Sequence, residues 1–253
     1  MLTEERRAFI LHEVNDKGSA TVQELVAELS ASESTVRRDI NALARDGMLV
    51  RVFGGAVAMD GAVQQTELSV IVKESINVEE KRKIGKYAAE LVVPGDYVYI
   101  DSGTTVGCMI PFLHEKQATY VTNAVSHAKD MVRKGLHVLL IGGELKENTE
   151  AIVGADAILH IQKYHFNKAF FGTNGISLTS GFTTPDIREA MIKRAAVQNT
   201  RAGARYILAD HSKFGQTSPV TFAGLQGSVV ITDASPGEIY LRSVDVQVVG
   251  SKE

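Results

Sequence analysis

The sequence predicts a two-domain α+β protein: an N-terminal winged helix-turn-helix over residues 1–58, a linker over 59–72, and a C-terminal α/β domain with a mostly parallel sheet over 73–253. Three observations carry this. Three short helical patterns open the chain and lead into two β-like runs around a glycine turn. Residues 60–67 are polar and aperiodic, with Gly61 and a Gln64-Gln65-Thr66 run, as a linker requires. Beyond Lys73, short apolar runs alternate with helical segments, the pattern of strands and crossover helices in a parallel sheet.

The first helix runs from Thr3 to about Asn15 with Leu11 and Val14 on its apolar face, and Asp16-Lys17-Gly18-Ser19 breaks it. Thr21-Val22-Gln23-Glu24 is a capping box, in which the Thr hydroxyl and the Glu carboxylate satisfy free backbone N–H groups of a second helix. Ser32 caps a third helix ending near Gly47, a residue suited to the left-handed conformation past a helix C-terminus. Residues 48–52 and 56–58 then form a hairpin around Phe53-Gly54-Gly55, which reads as a wing. In the second half, strands are expected at 97–100, 119–121, 138–141, 168–171, 206–209, 229–232 and 244–249. Asn77-Val78-Glu79-Glu80 should cap a helix ending before Pro94, and Pro185-Asp186 should open one carrying Glu189 and Lys193.

Composition narrows the function. The 44% hydrophobic and 23% charged residues are ordinary for a globular protein, and no run approaches the roughly 18 apolar residues of a membrane span. The charged start, MLTEERRAFILHEV, does not resemble a signal peptide, so a cytoplasmic location is expected. Cys108 is the one cysteine and cannot form an intrachain disulfide; it reads as a small packing residue, and neither a metal site nor a cofactor is expected. A net charge of −3 gives no global attraction to nucleic acid, and residues 1–57 hold seven basic against nine acidic groups. Any DNA contact must therefore be local.

The third helix supplies such a surface. Val36, Ile40 and Leu43 recur at helical spacing as a buried stripe, which turns Ser34, Arg37, Arg38, Asn41 and Arg45 outward. Cations for phosphates are thereby mixed with hydroxyl and amide groups able to bond base edges. A polar face alone is what any solvated helix presents. The arrangement decides: a tight turn precedes this helix, and a glycine-tipped hairpin brings Arg51 to the same surface. Ser32, Ser34, Thr35, Arg37, Arg38, Asn41 and Arg51 are the candidate DNA contacts.

A second constellation lies at the C-terminal ends of the expected strands, where open parallel sheets bind ligands. Asp101-Ser102-Gly103-Thr104-Thr105, Thr122-Asn123, Gly142-Gly143, Gly172-Thr173-Asn174-Gly175, Asp210-His211-Ser212-Lys213 and Thr232-Asp233 all fall there. Residues 102–105 lead into a helix whose amides could cradle a phosphate, with Lys213 adding a cation. Asp101, Asn123, Glu189 and Asp210 suit sugar hydroxyls, and Gly143, Asn174 and Lys193 complete the candidate effector site. Individually these features have plain explanations, since glycines after strands make turns, Glu189 and Lys193 are spaced as an exposed ion pair, and His211 reads as a loop residue. Their concentration at one edge is what points to a ligand. No GxxxxGK[ST], GxGxxG or catalytic Ser–His pattern occurs, and no catalytic residue is assigned.

The run Ser32-Glu33-Ser34-Thr35-Val36-Arg37-Arg38-Asp39-Ile40, followed by Arg51-Val52-Phe53-Gly54-Gly55-Ala56, resembles the DeoR family of sugar-metabolism repressors. Asp101 to Thr105, Thr122-Asn123, Gly142-Gly143-Glu144, Phe171 to Gly175 and Ala209 to Gly215 are similar, in order, to that family's sensor domain. Gly181-Phe182-Thr183-Thr184-Pro185-Asp186 most resembles the fructose-operon repressors of Gram-positive bacteria. The resemblance implies operator DNA and a phosphorylated sugar, fructose 1-phosphate, as partners, and a sensor similar in fold to ribose 5-phosphate isomerase. Phe53 departs from it, standing where the family commonly has His. The expected assembly is a homo-oligomer, dimer or tetramer, because two half-sites multiply affinity. The competing readings are a phosphosugar isomerase-like enzyme, with Asp101, Asp210 or Glu189 moving protons, and a regulator that answers to a protein partner.

Overall fold

The computed structural model describes residues 3–17, 19–46, 48–58, 70–147 and 149–250, which form two compact units, 1–76 and 77–253. The expected linker falls mostly outside the described residues, while Val70–Ser75 forms a short helix where linker is expected up to residue 72.

In the first unit, α1 (Thr3–Lys17), β1 (Ser19–Thr21), α2 (Val22–Leu29), α3 (Glu33–Arg45), β2 (Leu49–Val52) and β3 (Gly55–Ala58) precede α4 (Val70–Ser75). Its core gathers Ile10, Val14, Leu25, Leu29, Val36, Ile40, Leu43 and Leu49. Leu11 is only half-buried; Ile10, four residues before Val14, takes the inward place in α1. The Thr21–Glu24 capping box is present, and the Ser32 hydroxyl accepts from the Thr35 N–H at 3.3 Å. α3 ends at Arg45, with Asp46 as its cap; Gly47 lies outside the described residues. The wing proves to be three-stranded, in antiparallel order β1-β3-β2. β1 is not apparent in the sequence because three residues are too few to show an alternation.

In the second unit come α5 (Val78–Glu90), β4 (Tyr97–Ile100), α6 (Thr104–Gly107), β5 (Thr119–Thr122), α7 (Val125–Arg133), β6 (His137–Leu140), β7 (Glu144–Leu145) and β8 (Ile152–Val153). There follow α8 (Ala155–Ile161), β9 (Lys168–Gly172), β10 (Gly175–Ser177), β11 (Gly181–Thr184), α9 (Ile187–Gln198), β12 (Arg205–Leu208), β13 (Val220–Ala223), β14 (Ser228–Thr232), α10 (Glu238–Leu241) and β15 (Asp245–Val248). Seven strands form one parallel sheet in the order β15-β14-β12-β9-β4-β5-β6. Their bounds lie within a residue or two of those expected.

Alternation along the strands builds a core on each face. Tyr99, Phe171 and Ile207 point with α8 and α9, through Ala157, Ile161 and Ile192, into one. Val98, Ile100, Phe170 and Leu208 point with α5, α6 and α7, through Ile84, Val106 and Met131, into the other. The β7–β8 hairpin and the antiparallel sheet β10-β11-β13 are additions to the expected fold; their strands are two to four residues long.

The expected Asn77 cap is corrected. Asn77 stands at the start of α5 with φ +50 and makes no side-chain cap; its Nδ2 instead donates to Asp210 Oδ1 at 2.8 Å. Asp186 does cap α9, accepting from the Arg188 N–H at 2.7 Å.

Candidate functional site

The outward face of α3 is as the periodicity requires. Ser32, Ser34, Arg37, Arg38 and Arg45 are exposed, and Thr35 and Asn41 are half-buried beside the inward stripe. The Ser32 hydroxyl contacts those of Ser34 and Thr35 at 3.0 and 2.8 Å, so all three gather at the helix N-terminus. Arg37 donates to Glu33 Oε1 from Nε and Nη2 at 2.9 and 2.6 Å, which holds its guanidinium along the helix. Arg38, Arg45 and Arg51 have no ion pair among the described residues and stand open to phosphates. Arg6 and Arg7 are removed from that role, because their Nε atoms donate to buried Asp39 at 2.5 and 3.2 Å and pin α1 to α3. Asp39 lies within the arginine-rich run of α3 yet faces inward, a role that no local pattern in the sequence marks.

The wing turns in two residues. Val52 pairs with Gly55, and Gly54 between them has φ +86, a conformation glycine adopts freely. Gly55 is required for another reason: a Cβ there would lie 2.3 Å from the Ala20 carbonyl oxygen on β1.

In the sensor sheet, strand order reverses at β4 and β9: β5 and β6 extend from one side, β12, β14 and β15 from the other. Ligands of open α/β sheets bind at such a switch point, outside the carboxyl ends of the strands. Asp101 follows β4 and is buried; its Oδ2 accepts the Gly172 N–H at 2.9 Å and the ammonium of Lys193, which reaches in from α9. Lys193 Nζ also donates to the Gly172 carbonyl at 3.1 Å and lies 5.5 Å from the Phe222 ring centre. The backbones meet closely, since a Cβ on Gly103 would stand 3.1 Å from the Gly172 Cα. Asp101, Gly103, Gly172 and Lys193 are thus one constellation. Glu189 and Lys193, spaced as an exposed ion pair, are instead both buried and take separate partners.

One turn earlier on α9, Glu189 Oε1 accepts from Lys146 Nζ at 2.9 Å and from the Thr149 hydroxyl at 2.8 Å. Lys146 also pairs with Asp186 at 2.9 Å, and Arg188 bridges Asp186 and Glu144. Burial raises the Asp186 pKa, but bonds from Lys146 and Arg188 outweigh it and bring the carboxyl to about 2. Lys146 and Thr149 escape sequence reasoning, for no local pattern marks a residue whose partners on α9 lie far along the chain. Asn123 is spent internally: Tyr99 Oη donates to its Oδ1 at 2.9 Å, and its Nδ2 donates to the Ile152 carbonyl. Burial, then the charges of Asp101 and Glu189, push the Tyr99 pKa well up, so this hydroxyl stays protonated as a donor. Gly143 has φ +152, and a Cβ there would come within 2.6 Å of the Val153 carbonyl, a packing reason for glycine. Asn174 Oδ1 accepts from Thr184 at 3.3 Å.

The third group follows β12. Asp210 is fully buried; its Oδ1 accepts from Asn77 and Ser212. Burial raises its pKa, yet Lys213, Ser212 and Asn77 together lower it. His211 is no passive loop residue: its Nδ1 lies 2.7 Å from Asp233 Oδ2, which raises the imidazole pKa. Oδ1 of Asp101 and Oδ2 of Asp210 are buried and accept no hydrogen bond from the described residues. Each such orphan costs about 1–3 kcal/mol, which a donor group on a ligand would recover. The cradle at 102–105 is altered in one respect. α6 is a single turn, so an anion there would meet local N–H groups beside Gly103 rather than the dipole of a long helix.

Among the described residues, no helix is long and apolar enough to cross a membrane, and no cluster of three His, Cys, Asp or Glu could hold a metal. Residues 6–62 match the DeoR-like helix-turn-helix domain and residues 76–234 the DeoR C-terminal sensor domain. Together these define a DNA-binding transcription regulator with a sensor for a small molecule, not an enzyme. The chain belongs to the DeoR family. It is 40% identical to the uncharacterized HTH-type transcriptional regulator FruR of Bacillus subtilis, over 92% of this chain and 91% of that one. It is 33% identical to the HTH-type transcriptional repressor GlcR of the same organism, over 97% and 94% of the two chains. The lactose phosphotransferase system repressor of Streptococcus mutans is 34% identical over 92% and 93%. Ribose 5-phosphate isomerase A of Neisseria gonorrhoeae overlaps 54% of this chain and 53% of its own at a TM-score of 0.40 and 13% identity, too little to carry an argument.

Proposed function

We propose that this protein is a cytoplasmic repressor of a sugar-utilisation operon, released from its operator when a phosphorylated sugar, fructose 1-phosphate, binds the sensor. The observation that carries the effector reading is the pair of orphaned carboxylate oxygens, on Asp101 and Asp210, flanking β9 at the carboxyl edge of the sheet. Sugar hydroxyls are donors suited to both. Lys213 and the amides of residues 102–105 supply charge and N–H groups for the phosphate, while Lys193 and Glu189 hold the surrounding framework in place. The relatives named as repressors, one of them of a lactose phosphotransferase system, support the sign and the sugar class.

The protein acts as a homo-oligomer. Phosphosugar changes how two sensors pair and moves the two reading heads out of register, which requires only that the sugar bind the DNA-incompetent arrangement more tightly. The test uses Lys213→Ala and Thr104→Val, both of which lie in the sensor unit. Both should bind operator as the parent does and stay bound at fructose 1-phosphate concentrations that release the parent. Release at the parent's concentration would remove the cradle from the account.

A further inference from the structure

Asn77 opens the sensor unit and directly follows Ile76, where the first unit ends. The run Asn77-Val78-Glu79-Glu80 is that of a helix cap, yet Asn77 has φ +50 and makes no side-chain cap. The side chains that do cap helices here, those of Thr21, Ser32 and Asp186, belong to residues with φ −81, −68 and −96. Asn77 instead donates from Nδ2 to Asp210 Oδ1 at 2.8 Å. Asparagine tolerates the left-handed conformation better than most residues with a Cβ and is also a favoured cap, so this residue has two arrangements open to it. Asp210, buried at the end of β12, is loaded unevenly. Its Oδ1 also accepts from the Ser212 N–H and hydroxyl at 3.1 and 2.5 Å, which puts three donors on an oxygen with about two lone-pair sites. Its Oδ2 accepts none from the described residues.

We propose that Asn77 is a positioning residue that carries effector binding out of the sensor: a ligand donor on Asp210 Oδ2 frees Asn77 from Oδ1, and Asn77 then takes an extended φ and caps α5. This rests on Asp210 contacting the effector. A hydroxyl bound at Oδ2 draws charge from Oδ1 and turns the carboxylate, and one of the three donors on Oδ1 gives way. Ser212 lies two residues along the same loop and turns with it, so Asn77, 133 positions away in sequence, is the one released. The freed side chain then accepts from the Glu79 or Glu80 N–H, as caps do. Reversing the sign of φ redirects the chain where it enters α5, and Ile76 and α4 come immediately before that point. One residue with two hydrogen-bonded arrangements, chosen between by a ligand, is the two-state element that coupling requires.

The experiment compares the full chain with Asn77→Ser and Asn77→Gly on the tightest duplex recovered from a random library by repeated binding and amplification. Serine caps as well as asparagine but suits φ +50 poorly and cannot reach Asp210; glycine accepts φ +50 freely and has no side chain to cap or to reach with. Asn77→Ser should therefore bind the duplex at least about fivefold more weakly than the parent without sugar, and fructose 1-phosphate should weaken it little further. Asn77→Gly should bind the duplex as the parent does and lose at least about fivefold of the sugar's effect. In the parent, fructose 1-phosphate should slow hydrogen exchange of the Glu79 or Glu80 amide, a readout that needs no variant to fold. A role confined to stability would shift the thermal midpoint of both variants and leave duplex affinity and sugar response as in the parent. Parent-like duplex affinity in Asn77→Ser, equally weak binding by both variants, a full sugar response in Asn77→Gly, or unchanged exchange at 79 and 80 in a parent that the sugar releases would each overturn the proposal. If fructose 1-phosphate neither binds nor releases the parent, the effector reading fails, while the contrast between Asn77→Ser and Asn77→Gly without sugar still decides the part played by Asn77.

Discussion

Replacing Lys193 with Met keeps the length of the side chain and removes its charge. The Lys193 and Asp101 side chains are 5% and 1% exposed, so water cannot take the place of the lost ammonium. Among the described residues, Asp101 Oδ1 already lacks a hydrogen bond, and Oδ2 would retain only the Gly172 N–H. Removing one member of a buried pair costs about 3–5 kcal/mol, because the survivor is left as an uncompensated charge. For a domain of about 150–250 residues, that corresponds to a fall of roughly 6–20 °C in the sensor's thermal midpoint. The double variant Lys193→Met/Asp101→Asn should recover part of the loss, since the asparagine side chain would keep an acceptor for the Gly172 amide without a charge. Differential scanning calorimetry of the full chain, following the sensor transition, gives the values for the two single variants and the double one. A Lys193→Met cost below about 1 kcal/mol, or a double variant that merely sums the two losses to within about 0.5 kcal/mol, would refute the reasoning.

Three further outcomes follow from the geometry. Asp39→Asn should destabilise the N-terminal unit by about 1–3 kcal/mol, since Arg6 and Arg7 lose a buried acceptor, while leaving the salt slope of DNA binding unchanged; calorimetry and salt titration check both. Gly55→Ala should destabilise that unit by more than the roughly 1 kcal/mol expected of Gly54→Ala, because a Cβ at 55 collides with the Ala20 carbonyl whereas 54 has open space and only an unfavourable φ; urea unfolding of the two variants compares them. For Asp186 the folded pKa, about 2, lies below the ordinary 3.8, so its contribution is present above about pH 4 and is lost as pH falls toward 2. Asp186→Asn should then cost about 2 kcal/mol in urea unfolding at pH 7 and progressively less at pH 4 and 3; a gap that does not change with pH would contradict the ion-pair account.

The parts of this molecule legible in the sequence are those whose cause is local. The Thr21–Glu24 box, the Ser32 cap, the Val36–Ile40–Leu43 stripe and the strands of the parallel sheet all rest on neighbours within a few positions. What escaped depended on distance. β1 gains its meaning only from β3, the β10-β11-β13 sheet from a strand that arrives after α9 and β12, and Lys146 from carboxylates at the start of α9. Asn77 looks like a cap because Asn, Val, Glu and Glu make one, yet the structure gives its side chain to Asp210 across 133 residues. The sequence marks the candidate effector residues as a chemical class expected at the carboxyl edge of the sheet. Sequence alone does not separate Asp101 and Asp210, whose buried carboxylates follow β4 and β12, from Lys193, which reaches Asp101 from α9, or from Asn123 and Gly143, which the fold itself employs.

Coupling between the two ligands is the central claim. Fluorescence anisotropy of a duplex selected from a random library for tight binding, titrated with the full chain at fixed salt, should show affinity falling by roughly 5–150-fold at saturating fructose 1-phosphate, the range given by a coupling of about 1–3 kcal/mol. By reciprocity, calorimetric titration of the sugar into the protein–DNA complex should show its affinity reduced by the same factor. Tighter DNA binding with sugar, or equal sugar affinity with and without DNA, would contradict the claim that this protein is a repressor released by its effector.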